Sequence, residues 1–133
     1  MALNPKTAVA SRNLALDAAF DVLDSGKLRI YDGTQPTDAD TALGAQVLGA
    51  DLALGADSFA AAAAGSKAAN AISSDTSADA SITATWGSLL NSSNVRKLDY
   101  TVGTSGANLN MNSVSISSGA TVSVTSFTIT QAA

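Results

Sequence analysis

Along residues 28–31 the hydrophobic period of the chain changes from helical to alternating. Leu28 and Ile30 fall on one side and Arg29 and Tyr31 on the other, the two-residue repeat of a half-buried strand. Asp32-Gly33 ends that strand, because Gly tolerates positive φ and Asp can bond the backbone ahead of it. Upstream, residues 7–25 carry a helical period. Val9, Leu16, Phe20 and Leu23 share one face at spacings of seven, four and three, and Asp17, Asp21 and Asp24 form an acidic stripe to one side of it. Gly26 is placed to stop the helix in the left-handed conformation. Residues 1–6 form a short lead-in, with Asn4-Pro5 putting a proline where a helix can begin without an amide donor.

Downstream the period is that of sheet. Residues 34–44 are nearly free of apolar side chains and read as a surface loop. Alternation resumes at Leu48, Ala50, Leu52 and Leu54, which form a second strand. Phe59 and the alanines of residues 60–64 predict a loop or single turn, since so short a run is below the length at which a helix holds. Residues 67–72 predict a short strand and residues 73–79 a polar connection. In residues 81–86 the hydroxyls of Ser81, Thr83 and Thr85 alternate with Ile82, Ala84 and Trp86. A turn at residues 91–94 makes a hairpin with residues 95–102, where Leu98, Tyr100 and Val102 share the buried side. A further turn at residues 103–106 leads to Leu109 and Met111, then Val114 and Ile116. In residues 121–130 the apolar positions run Val122, Val124, Phe127, Ile129, a slip of one residue near Thr125-Ser126. The slip predicts a bulge or bend there, with Val122 and Val124 buried on one side and Phe127 and Ile129 on another. Strands separated by turns at short intervals, with no helical pattern between them, predict a mainly β fold. We expect an antiparallel β-sandwich or jelly-roll-like barrel preceded by one N-terminal α-helix.

Composition narrows the chemistry. The 133 residues suit a single domain over 1–133, with the helix at 7–25 and the sheet region at 27–130. Apolar residues are 46% of the chain but many are Ala, so the core should be thin. There is no Cys and no His, and every acidic residue is Asp. Thiol nucleophiles, imidazole bases, disulfides and nearly all transition-metal sites are thereby removed. Ser and Thr are abundant but have no activating base, so no enzyme, catalytic residue or cofactor is expected. The net charge of −4, with seven scattered basic residues, argues against nucleic-acid binding. The N-terminus has no uninterrupted apolar h-region and no apolar run approaches the roughly 20 residues that span a bilayer, so a soluble, unprocessed chain with no membrane partner is expected.

Three kinds of candidate side chain stand out. Asp32, Asp38 and Asp40, or Asp75 and Asp79, could gather around Ca²⁺, but no EF-hand series is present and turn formation accounts for them, so no metal is expected. Trp86 could be a stacking platform for a sugar or an interface anchor; its default reading is the largest member of a small core. The acidic stripe opposes the helix macrodipole, which suggests either indifference or a basic neighbour on another chain. Arg12, Asp17, Asp21 and Asp24 are therefore the candidate partner-contact residues.

The runs at residues 28–36, 69–80, Thr83-Ala84-Thr85-Trp86, 102–110 and 119–130 resemble small virion-associated structural proteins of tailed bacteriophages and prophages. Gly87 departs from that pattern, in which an aromatic residue commonly follows the tryptophan. The resemblance implies a structural protein on the outer capsid surface of a virion. Specifically, it implies a capsid decoration, or cement, protein whose partner is the major capsid protein, with homo-oligomers, guessed as trimers, at local threefold positions of the shell. The alternative is a tail or fibre module contacting the host surface.

Overall fold

The computed structural model describes residues 6–131. Asn4-Pro5, expected to start the helix, lie outside the described residues. Helix α1 runs Val9–Phe20, a 3₁₀ turn Asp21–Leu23 extends it, and nine strands follow: β1 Lys27–Tyr31, β2 Leu48–Ala53, β3 Ser66–Ala68, β4 Ile82–Thr83, β5 Trp86–Leu90, β6 Arg96–Gly103, β7 Leu109–Met111, β8 Ser115–Ile116 and β9 Val124–Thr130. Seven of them form one curled sheet in the order β2-β1-β5-β6-β7-β9-β3, and β4 pairs with β8 in a small second sheet. The fold is thus mainly β with one N-terminal helix, consistent with a sandwich or barrel-like architecture. The pairing of β6 with β7 is parallel, Val102 opposite Leu109, and the other pairings between these strands are antiparallel.

The two ends of the large sheet are brought together by residues 69–79. Ser73 and Asp79 donate their amides to Ala53 and Gly49 on the β2 side, while Ala69 donates to Phe127 and Asp75 exchanges two bonds with Val122 on the β9 side. On the far side of β3 lies the antiparallel return of residues 59–63, with Phe59 bridged to Ala69 and Ala63 to Ser66. The backbone donors and acceptors that an open edge would present are thus largely engaged.

Inside the curl, Leu16, Phe20 and Leu23 of the helical segment meet Leu28, Ile30, Leu52, Leu89, Leu109, Met111, Phe127 and Ile129 in one cluster. Phe20, Phe59, Phe127 and Tyr100 form a chain of edge-to-face rings with centroids 4.8, 5.5 and 5.4 Å apart, so a few large side chains supply the contact that the alanines cannot. The bulge expected in the last strand is present. Leu109, Asn110 and Met111 oppose Phe127, Ser126 and Val124, leaving Thr125 as the extra residue. Its effect differs from the expectation. One inserted residue restores the phase, so Val122, Phe127 and Ile129 all enter the same core, with Val124 packed partly against it.

Other departures are local. Val9 is 45% exposed and does not join the buried helix face, because it is the first helical residue and has no sheet beneath it. The left-handed position after the helix is taken by Ser25 (φ 58°). Gly26 is required for a different reason: a Cβ there would collide with the carbonyl oxygens of Leu90 and Leu23. The strand expected at residues 67–72 is confined to Ser66–Ala68, and the one at residues 81–86 divides between β4 and β5. Its burial still alternates up to Trp86, but Ile82 and Ala84 belong to the main cluster and Trp86 does not.

Trp86 instead builds a second layer on the outer face of β1, β5 and β6. It is wholly buried, stacked on Tyr31 at 4.6 Å with 14° between the rings, and donates Nε1–H to the carbonyl of Asp32 at 3.0 Å. A ring so covered is not a surface platform. Residues 32–47 fold over this layer and are held by Arg96, which donates to the carbonyl of Thr41 and lies 5.6 Å from the centre of the Trp86 ring. The adjacent Gly87 faces the core, where a Cβ would come within 3.2 Å of Ile30 and 3.3 Å of the Arg29 carbonyl. An aromatic side chain does not fit at this position in the packing as it stands.

Candidate interaction site

The four candidate contact residues lie on α1 and the turn after it, and Asp17 and Asp21 among them face β3. Lys67 sits in the middle of β3 opposite Ile129, and its side chain is only 1% exposed beneath the helix. A buried ammonium requires carboxylate partners. Its Nζ lies 2.5 Å from Asp17 Oδ1 and 3.4 Å from Asp21 Oδ1. Asp17 and Asp21 thus have a basic neighbour within the chain. Asp17 Oδ1 also accepts from the amide of Ala62 at 2.9 Å, so one carboxylate joins the helix to β3 and to the alanine-rich segment.

The other members are placed differently. Asp24 Oδ1 accepts from both the amide and the hydroxyl of Ser58, at 2.9 and 2.8 Å. Arg12 reaches the carbonyl of Gln131 with Nη1 at 3.5 Å, and its buried Nε has no partner among the described residues. The guanidinium lies over Gly65 (φ 77°), where a Cβ would stand 2.8 Å from Nη1. Asp21 is the outlier. Its side chain is 66% exposed, and it borders a cavity of about 280 Å³ lined also by Asp17, Asp57, Phe59, Ala61 and Lys67.

The titration of these groups follows from their partners. The Lys67 hydrogen bond, then the Ala62 amide, holds the Asp17 carboxyl below the usual carboxylate range. The Ser58 amide and hydroxyl do the same for Asp24. Burial pushes Lys67 down, yet Asp17 and Asp21 together outweigh it and the ammonium is held above its ordinary value. The arrangement is a charged cross-link between helix and sheet. It does not provide a neutral amine or a protonated acid poised for proton transfer.

A second ionic cluster was not singled out by the sequence. Arg96 Nη2 lies 2.5 Å from Asp99 Oδ2, and the Asp99 side chain is 3% exposed. This pair stands beside Ser88 and under the loop that covers Trp86. The alternation of β6 placed Asp99 on the outer face, but only the course of residues 32–47 buries it there. Lys67 was missed for a related reason, since a lone lysine in a short strand carries no sign that a helix will cover it.

Asp32 and Asp38 serve turns. Asp38 Oδ1 accepts from Thr41 N, Thr41 Oγ1 and Asp40 N, which holds its pKa below the ordinary value, the Thr41 hydroxyl contributing most. Asp32 Oδ1 accepts from Val47 N at 2.6 Å. Asp75 accepts from the amides of Asp51 and Ser77. Among the described residues, no three acidic side chains converge in the manner of a cation site, and no helix is long and apolar enough to cross a membrane.

No protein-family model, curated protein or solved structure matches this chain.

Proposed function

We propose that this chain is a bacteriophage virion structural protein, a capsid decoration (cement) protein that bridges and stabilises subunits of the major capsid protein on the outer surface of the particle. The observation that carries the reading is how the ionised side chains are used. Asp17 and Lys67, Asp24 and Ser58, Asp38 and Thr41, Arg29 and Asp51, and Arg96 and Asp99 are each engaged in cross-linking the chain to itself. What remains on the surface suits contact better than chemistry. The resemblance noted in the sequence supplies the particle.

A protein of this kind acts by multiplicity. Each contact is modest, but an oligomer that touches several subunits makes its later contacts intramolecular and so dissociates slowly. Binding only to the assembled shell also shifts the assembly equilibrium toward that shell. Asp21, whose carboxylate is largely in water although one oxygen lies 3.4 Å from Lys67 Nζ, is the member of the acidic stripe best placed to meet a basic residue of a partner.

Particles with and without the protein should be compared for survival of heating, with the protein located on the particle by electron cryo-microscopy. Copies spread over the shell, and particles that rupture earlier without them, are the expected result. Confinement to the tail, with unprotected particles equally robust but failing to adsorb to host cells, replaces the cement reading with that of a tail or fibre module.

A further inference from the structure

Residues 33–46 lie over the outer layer without being built into it. Their ends meet at the base, where the Asp32 amide donates to the Val47 carbonyl and Asp32 Oδ1 accepts from the Val47 amide, the closed outline of an Ω-loop. No residue from Gly33 to Gln46 is buried, and only Gln35, Pro36, Ala39 and Gln46 are half-buried. Inside the loop, Asp38 ties Asp40 and Thr41, and Gln46 ties Thr34 and Gly44, so its order is largely its own. Among the described residues, the Arg96 side chain makes every hydrogen bond that joins positions 34–46 to the rest of the chain, through the carbonyls of Thr41 and Asp38.

What lies beneath is buried far more deeply. Trp86 and Ser88 are 0% exposed and Tyr31 4%. Asp99 Oδ2 meets Arg96, whereas its Oδ1 is buried with no hydrogen-bond partner among the described residues. A carboxylate oxygen kept from water without a donor costs the closed arrangement free energy, and lifting the loop returns that oxygen to water.

We infer that residues 33–46 are a latch: they swing off the outer layer as a unit, hinged at Asp32 and Val47, while the sheet stays folded, and Arg96 is the catch. Opposed effects poise it. The two Arg96 bonds and the burial of the Tyr31–Trp86 stack hold it closed; hydration of Asp99 and the conformational freedom regained by the loop favour opening. The inner core does not depend on it, because no member of the core cluster belongs to residues 33–46. Segments with few buried apolar contacts open at free energies well below that of global unfolding. Asp99 is the positioning residue, since it fixes the guanidinium from below and aims it at the two loop carbonyls. Opening uncovers the stacked rings and the Asp99 carboxylate, which the closed form hides. The latch belongs to the isolated chain and is independent of the capsid reading.

The chain has no cysteine, so a thiol placed under the latch reports its opening. Ser88→Cys replaces a hydroxyl that accepts from Arg96 Nε and is reached only when the loop and Arg96 move aside. Ala50→Cys, at a position of the inner core that is also 0% exposed, is reached only when the sheet unfolds. Under native conditions a thiol reagent should label the Ser88→Cys chain at least about a hundredfold faster than the Ala50→Cys chain, each rate taken relative to that of the same chain unfolded. Urea should accelerate labelling of Ser88→Cys weakly, because opening exposes little surface, and that of Ala50→Cys steeply. Adding Arg96→Met should speed labelling of Ser88→Cys about tenfold or more while far-UV circular dichroism stays unchanged. If Arg96→Met alone does not fold, Arg96→Met with Asp99→Leu, which removes both charges, takes its place. Equal labelling of the two single-cysteine chains with the same urea dependence would overturn the latch. So would labelling of Ser88→Cys that is indifferent to the loss of Arg96.

Discussion

At the scale of single residues, stability is concentrated in a few large side chains. Phe20 is 2% exposed and lies edge-on to Phe59. Phe20→Ala leaves a cavity that the surrounding strands cannot close, so it should cost about 3–5 kcal/mol in chemical denaturation. A change below about 1 kcal/mol would mean that the helix face is not packed as described. Ser25 offers the opposite case. It holds φ at 58°, a conformation that costs a residue with a Cβ roughly 1 kcal/mol and costs glycine little. Its side chain is exposed, so Ser25→Gly should raise stability by about 0.5–1 kcal/mol. The chain places its glycine one position later, at Gly26, where the approach of the Leu90 carbonyl demands it.

The element scale shows where the sequence was legible. The alternation of Leu28 and Ile30, of Leu48 through Leu54, and the slip at Thr125 all placed strands and a bulge correctly, because a period of two is dictated by the backbone and survives any tertiary arrangement. The outer layer was less legible. Tyr31 alternates as a solvent-facing position would, whereas Trp86 shares the apolar side of residues 82–86 with Ile82 and Ala84; both lie in the outer layer, and the polar loop at residues 32–47, with Arg96 beneath it, buries them there. Asp17, Asp21 and Asp24 were visible as a stripe, but their partners Lys67 and Ser58 are tens of residues away, and local pattern holds no record of such pairing. The bulge gives a sharp test. Deleting Thr125 removes the residue that keeps Val122 in phase with Phe127 and Ile129, so one pair must leave the core. The expected loss is about 3 kcal/mol or more, or failure to fold. Thr125→Ala, at the same exposed position, should change stability by less than about 0.5 kcal/mol. Comparable effects of the two variants in urea unfolding would refute the role given to the extra residue.

For the whole molecule, the ionised groups that tie its parts together should appear in the pH dependence of stability. Asp17, Asp24 and Asp38 have pKa values below the ordinary 3.8 when folded. Their contribution is present above the unfolded carboxylate value and is lost as pH falls through the folded ones. The alkaline side has the opposite sign. Lys67 is held above its ordinary 10.5, and burial pushes the Tyr100 hydroxyl from 10.0 up to about 12. Both bind protons more tightly folded than unfolded, so their stabilisation is full below the unfolded values and is lost as pH rises through the folded ones. Melting temperature should therefore hold a plateau between about pH 5 and 9 and fall on each side. Tyr100 provides the discriminating variant, because its ring packs edge-on to Phe127 at 5.4 Å and Phe keeps that contact. Tyr100→Phe should leave the plateau and the acid limb in place and flatten the decline between pH 10 and about 12. If the alkaline limb is unchanged in Tyr100→Phe but recedes in Lys67→Met, loss of the ammonium between helix and sheet, and not ionisation of the buried phenol, governs alkaline unfolding.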